Sequence, residues 1–131
     1  QPGITELEAA LQKTPEPLRA EAGGDLRLAR AAAIHFQSVA NQARFVMARD
    51  ALAGSGEALA PEQRDRHLTE LRRALESEID LARQLFTLTR EDSRIGFEPS
   101  CQYFYLPLDL VEKVINCRWL LDLSFGDTIL K

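Results

Sequence analysis

The residues best suited to chemistry lie in one stretch, Asp92–Pro107, which reads DSRIGFEPSCQYFYLP. It holds Asp92, Arg94 and Glu98 beside four of the nine aromatic residues, Phe97, Tyr103, Phe104 and Tyr105. A carboxylate shielded by aromatic side chains has its pKa raised by burial and can exchange a proton near neutral pH. Glu98 and Asp92 are the catalytic candidates on that ground. Arg94, Tyr103 and Tyr105 are the ligand-binding candidates, with Tyr103 or Tyr105 stacking on the apolar face of a sugar ring. The same residues also have a structural use. Ile95, Phe97 and Phe104 can plug the end of a helical bundle, while Asp92, Arg94 and Glu98 pair with one another or with backbone amides. Residue types alone favour this second use.

Other constellations carry less. His67 and Glu70 share a helical face, but a di-iron bundle needs matched Glu-x-x-His motifs and further carboxylates, and no second copy exists. His35 stands beside Phe36, and no metal site or cofactor is expected. Cys101 and Cys117 belong to no CxxC pair, so zinc is not indicated; Cys117 reads as a small core residue, and a Cys101–Cys117 bridge has little support. Arg44, Arg49 and Asp50 in ARFVMARD read as a solvent-edge or interhelical charge set, with Phe45 and Met47 as packing residues. No Gly-x-Ser-x-Gly elbow is present, and Gly54-Ser55-Gly56 lacks the spacing and lysine of a phosphate loop.

These residues need a scaffold. The chain has 131 residues, 45% of them hydrophobic and 27% charged, enough for one domain with its own core. A net charge of −4 argues against a nucleic-acid surface, where a basic stripe is expected. No apolar run approaches the roughly 20 residues that span a bilayer. Neither a nucleic acid nor a membrane is an expected partner.

Spacing predicts four helices. Ile4–Lys13 is a short one with Thr5 as N-cap and Glu8 completing a capping box. Thr14-Pro15-Glu16-Pro17 ends it, Leu18–Ala22 forms a further turn, and Gly23-Gly24 reads as a stop. Asp25 then caps a long helix to about Leu52, whose stripe Ala29, Ala32, Phe36, Val39, Ala43 and Val46 is the expected inner face. A third helix runs from Pro61 to about Thr89, with Leu68, Leu71, Leu75, Ile79, Ala82, Phe86 and Thr89 inward. Arg66–Glu70 and Arg72–Glu76 pairs mark its solvated side. Pro107 opens a fourth helix to about Leu123, with Leu110, Val114, Cys117 and Leu121 inward and Trp119 and Leu120 widening the stripe. Ser124–Lys131 reads as an irregular tail with a Phe125-Gly126-Asp127 turn. The expected fold is all-α, residues 1–131 forming one helical domain. It is a bundle of three long helices plus a shorter N-terminal helix, with an aromatic-rich crossover before the last helix.

Three segments are similar to those of a known family: Asp92-Ser93-Arg94-Ile95-Gly96-Phe97-Glu98, then Tyr103-Phe104-Tyr105, then Asp109-Leu110-x-Glu112-Lys113-Val114-Ile115-Asn116-Cys117. With Ser38–Phe45, they resemble the helical C-terminal region of large bacterial proteins of glycoside-hydrolase type, over about two-thirds of the chain. The chain departs from that pattern at Pro99, Cys101 and Gln102, where Ala, Asn and His are expected. The resemblance implies a catalytic domain elsewhere in a longer protein, carbohydrate as its substrate class, and a secreted or periplasmic setting for that parent. The opening Gln1-Pro2-Gly3, without Met, fits a fragment or a processed chain. The expected function is therefore a noncatalytic accessory domain that contacts a neighbouring domain of the same protein or a second copy. The alternatives are a segment that completes a hydrolase active site through Asp92 or Glu98, and a freestanding helical interaction module.

Overall fold

A computed structural model describes residues 2–54, 59–98, 102–103 and 106–123, with backbone alone at 97–98 and 102–103. Helix α1 spans Pro2–Lys13, α2 Arg19–Ala53, α3 Pro61–Glu91 and α4 Pro107–Asp122. A single 3-10 turn, Glu16–Leu18, joins α1 to α2. The all-α helical bundle expected from the sequence is the fold of the chain.

Helix α3 lies between α2 and α4 and packs along both, each neighbour running antiparallel to it. Its buried positions Leu71, Leu75, Glu78, Ala82, Leu85 and Thr89 recur at alternating four- and three-residue steps. That is the spacing of a coiled-coil seam. The facing seam of α2 has the same spacing: Ala31, Ile34, Ser38, Asn41, Ala48 and Leu52 are buried, with Phe45 half-buried among them. Leu71 packs on Ala48 and Leu52 at one end, and Leu85 and Leu88 pack on Ala31 and Ile34 at the other. Helix α4 adds Leu110 and Cys117 from the far side of α3. Burial on this scale is what holds the bundle together, at about 25 cal/mol per Å² of apolar surface removed from water.

The inner face of α2 corrects the expectation. Ala32, Phe36, Val39, Ala43 and Val46 are exposed, Phe36 by 71%, and Met47 is also 71% exposed rather than packed. The buried face is rotated away from the most apolar stripe because Ser38 and Asn41 are paired inside the bundle, as described below. Gly23 and Gly24 likewise do not stop the chain, since α2 starts at Arg19 and runs through both. The Arg27 guanidinium lies against them: Cβ atoms built at Gly23 and Gly24 would stand 3.8 Å from its two terminal nitrogens. Asp25 is therefore an interior residue and not a cap. Thr5 also lies inside α1, which begins at Pro2.

The other boundaries match their signals. Pro61 and Pro107 occupy the first helical turn, where a missing N–H costs nothing. Gln63 Oε1 accepts from the Ala60 N–H at 3.2 Å and Asp109 Oδ2 from the Leu106 N–H at 3.1 Å, each satisfying a donor just ahead of its helix. Gly54 ends α2 with φ 80°. The inward residues expected of α3 and α4 are buried or half-buried except Trp119, which is 58% exposed. Tail residues 124–131, with the Phe125-Gly126-Asp127 turn, lie outside the described residues.

Candidate functional site

The crossover begins as α3 ends. The Ile95 N–H donates to the Asp92 carbonyl at 3.0 Å, and Gly96 then takes φ 87°, a left-handed conformation that glycine adopts without a Cβ penalty. Residues Phe97–Glu98 pair antiparallel with Gln102–Tyr103, so the backbones of Glu98 and Tyr103 lie in one two-residue ladder. Those four residues are thus tied together by backbone pairing. The side chains of Glu98 and Tyr103, and the whole of Cys101, Phe104 and Tyr105, lie outside the described residues.

Asp92 and Arg94 are brought together. The carboxylate accepts from Arg94 Nε at 2.9 Å and Nη2 at 2.6 Å in a bidentate pair, and from the Arg94 backbone N–H at 3.1 Å. These hydrogen bonds, with the nearby charge of Arg94 and Arg27, hold the Asp92 pKa down to about 2. The shift runs opposite to the one a proton donor needs, so at neutral pH Asp92 is a fixed anion. Ile95 turns inward and packs on the cluster of Ala31, Ile34, Ala82, Leu85, Leu88 and Leu110. The Asp92–Arg94 pair and the inward Ile95 match that part of the structural use of the crossover, while the side chains of Phe97 and Glu98 and the whole of Phe104 lie outside the described residues.

Beneath the turn lies a cleft of about 490 Å³ lined by Glu21, Gly24, Asp25, Arg27, Asp92 and Arg94 among others. Arg27 Nε is buried there with no hydrogen-bond partner among the described residues. The walls alternate acid and base, so the cleft has no strong preference for an ion of either sign. A larger open cleft of about 670 Å³ runs between α1, α2 and α3, crossed by the Glu8–Arg30 pair at 2.6 Å.

The most organised polar cluster is one that the residue pattern does not single out. Glu78, 6% exposed in the middle of the α3 seam, accepts from Ser38 Oγ at 2.8 Å and Asn41 Nδ2 at 2.9 Å. Lys113 of α4 forms an ion pair with the same carboxylate and donates to Ser38 Oγ at 3.0 Å. Asn41 is fixed in turn by Gln37 at 3.2 Å, Arg44 at 3.3 Å and Ser77 at 2.8 Å. Every buried polar atom in this chain of contacts has a partner, so the arrangement locks three helices and leaves no group free to react. The signal that could have found it is the seam itself: stepping 71, 75, 78, 82 puts a charged residue where a core residue belongs.

The remaining candidates are dispersed. Arg49 pairs with Asp50 on the surface at 2.7 Å, as a solvent-edge reading expects, while Arg44 reaches back to Asn41. His35 and Phe36 stack edge to face at 5.8 Å. Cys117 is a buried free thiol whose pKa is raised by burial, in keeping with a core role. Among the described residues no group of His, Cys, Asp and Glu could hold a metal ion, and no helix is long and apolar enough to cross a membrane.

Two apolar surfaces stay open. One is the outer seam of α2. The other is on α4, where Leu108, Val111, Ile115 and Trp119 are exposed at three- and four-residue steps, beside a shallow groove of about 250 Å³ lined by Ala82, Phe86, Leu110, Val114 and their neighbours. Comparison with protein-family models, with curated proteins and with solved structures finds no match to this chain.

Proposed function

We propose that the chain is a noncatalytic helical accessory domain of a larger carbohydrate-active protein, and that it docks on a neighbouring domain of that protein through α4 and the crossover that precedes it. One observation carries the docking surface. The exposed stripe Leu108, Val111, Ile115 and Trp119 starts at the residues that leave the crossover and continues along α4, flanked by the apolar groove on α3. Contiguous exposed apolar surface of this kind marks interaction sites in proteins that fold correctly. The carbohydrate assignment comes from the resemblance of the segments at 38–45, 92–98 and 103–117.

A supporting role also fits the charges. Glu78 is held by Lys113 and Asp92 by Arg94, so the best-ordered carboxylates serve the scaffold. Limited proteolysis of the full-length parent tests the reading. Ile115→Asp with Trp119→Ala should expose the junction to cleavage and leave the helical content unchanged. An unchanged cleavage pattern, or an open reading frame that begins at Gln1, overturns it. Glu98→Gln in the parent addresses the active-site alternative, which normal turnover would remove.

A further inference from the structure

Of the four helices, α1 is the one that buries no residue. Ile4, Glu8 and Leu11 are half-buried, while Leu7 is exposed. No Cα of α1 comes within 8 Å of one of α3 or α4 among the described residues, so the helix rests on α2 alone. On its other side the cleft of about 670 Å³ separates it from Leu81, Gln84 and Leu88 of α3. We infer that α1 is a strap that leaves α2 as a unit while the bundle of α2, α3 and α4 stays folded, opening the cleft it borders.

The joint to α2 isolates the strap. Thr14 Oγ1 donates to the Ala10 carbonyl at 2.9 Å and the Thr14 N–H to the Leu11 carbonyl at 3.1 Å, closing α1 on itself. Pro15 and Pro17 follow, and neither has an N–H with which to extend that ladder. Beyond Pro15 the Leu18 N–H returns to the Pro15 carbonyl at 2.9 Å, which starts a new turn. The exposed side chain of Arg19 lies across the joint, donating to the Thr14 carbonyl at 3.0 Å and pairing with Glu16 at 2.7 Å. Unfolding of α1 therefore has no continuous backbone ladder along which to spread into α2.

The seat on α2 is shallow. Glu8 Oε1 accepts from Arg30 Nη2 at 2.6 Å and ties the middle of α1 to α2, but both side chains are nearly half exposed. Ion pairs in that setting contribute little, and salt screens them. A helix of 12 residues is marginal on its own, so α1 unfolds as it leaves, and the regained chain entropy favours release. Release takes no residue out of the core, because every buried residue among the described ones lies on α2, α3 or α4. What it uncovers is the α2 wall of the cleft, formed by Arg30, Ala33 and Ile34.

The strap is a different element from the α4 docking stripe, and the 131-residue chain tests it without the parent protein. Native-state hydrogen exchange, read by mass spectrometry of peptides, should show the α1 amides exchanging at least about a hundredfold faster than those of the inner α2 seam. They should still exchange more slowly than an unstructured peptide of the same sequence. Raising sodium chloride from about 20 to about 500 millimolar should speed α1 exchange by about two- to fivefold and leave the α2 seam unchanged. Glu8→Gln should match the high-salt rate and abolish the salt response. A common rate for α1 and the α2 seam, α1 amides unprotected at low salt, or a Glu8→Gln variant that speeds both helices together overturns the proposal. Maleimide modification of an Ala33→Cys variant, located by peptide mapping, reads the cleft itself. Labelling at position 33 should accelerate with salt by the same factor as α1 exchange, and a rate indifferent to salt overturns the link between strap and cleft.

Discussion

Lys113 of α4 and Glu78 of α3 form an ion pair inside the bundle, and through Ser38 the same lysine is bound to α2. No Cα of α2 comes within 8 Å of one of α4 among the described residues, so this side chain spans helices whose backbones do not meet. The pair therefore fixes how both outer helices register on α3.

The two partners are unequal in burial, and that sets the order of their mutational effects. Glu78 is almost fully enclosed, whereas the Lys113 side chain is 27% exposed and can reach water. Lys113→Met leaves a buried carboxylate without its cation and should destabilise by about 3–5 kcal/mol. Glu78→Gln keeps a single acceptor oxygen, so either Ser38 or Asn41 loses its partner there, but the freed Lys113 can reach water and the cost should be smaller, about 1–3 kcal/mol. Urea unfolding of both variants checks the order; equal losses would mean that the pair does not control the packing.

How much of this was legible varies by helix. The α3 boundaries followed from Pro61 and the leucine spacing, and its core face was read correctly apart from the step around Glu78. The face of α2 was not readable from hydrophobicity, because Phe36, Val39 and Val46 outrank Ser38 and Asn41 on any apolar scale. Those two become core residues only when Glu78, some forty positions away, supplies their partner. Gly23-Gly24 misled for a similar reason, since a local breaker signal yields when a long helix is held by tertiary packing. In the crossover, the Asp92–Arg94 pairing was among the readable options. The backbone ladder was not, because two-residue strands leave no periodicity to detect.

Asp92 makes the acid stability of the chain predictable in sign. Its folded pKa is about 2 against 3.8 for the ordinary carboxyl, so between those values the unfolded chain binds more protons. The stabilisation is complete above roughly pH 5 and disappears as pH falls through the folded value. Asp92→Asn should lower the thermal midpoint at pH 7, and the gap from wild type should close toward pH 2. Because the Arg94 side chain is 84% exposed, added salt should narrow the gap at neutral pH too. A gap that widens on acidification would contradict the assignment.

Glycines in two settings should respond in opposite directions. Gly23 lies within α2, and an added Cβ would meet Arg27 at 3.8 Å, an ordinary contact. Gly23→Ala should therefore stabilise by about 0.5–1 kcal/mol through helix propensity. Gly96 has φ 87°, where a Cβ is strained, and Gly96→Ala should destabilise by about 1–2 kcal/mol. Differential scanning calorimetry of the two variants separates these signs. A drop in melting temperature for Gly23→Ala would show that the Arg27 guanidinium needs closer access to the backbone.

The rotated face of α2 can be tested with a substitution that hydrophobicity alone would favour. Asn41→Leu puts an apolar residue into a buried position on a helix, which by pattern should strengthen the core. Yet Asn41 donates to Glu78 and Ser77 and accepts from Gln37 and Arg44, so leucine would leave Glu78 with one acceptor site unfilled in a dry setting. The expected result is a loss of about 1–3 kcal/mol. Met47→Ala, on the exposed side of the same helix, should change stability by no more than about 0.5 kcal/mol. Denaturant melts of the two variants compare the faces directly. Should Asn41→Leu stabilise the chain while Met47→Ala destabilises it, α2 would have to pack through its outer seam.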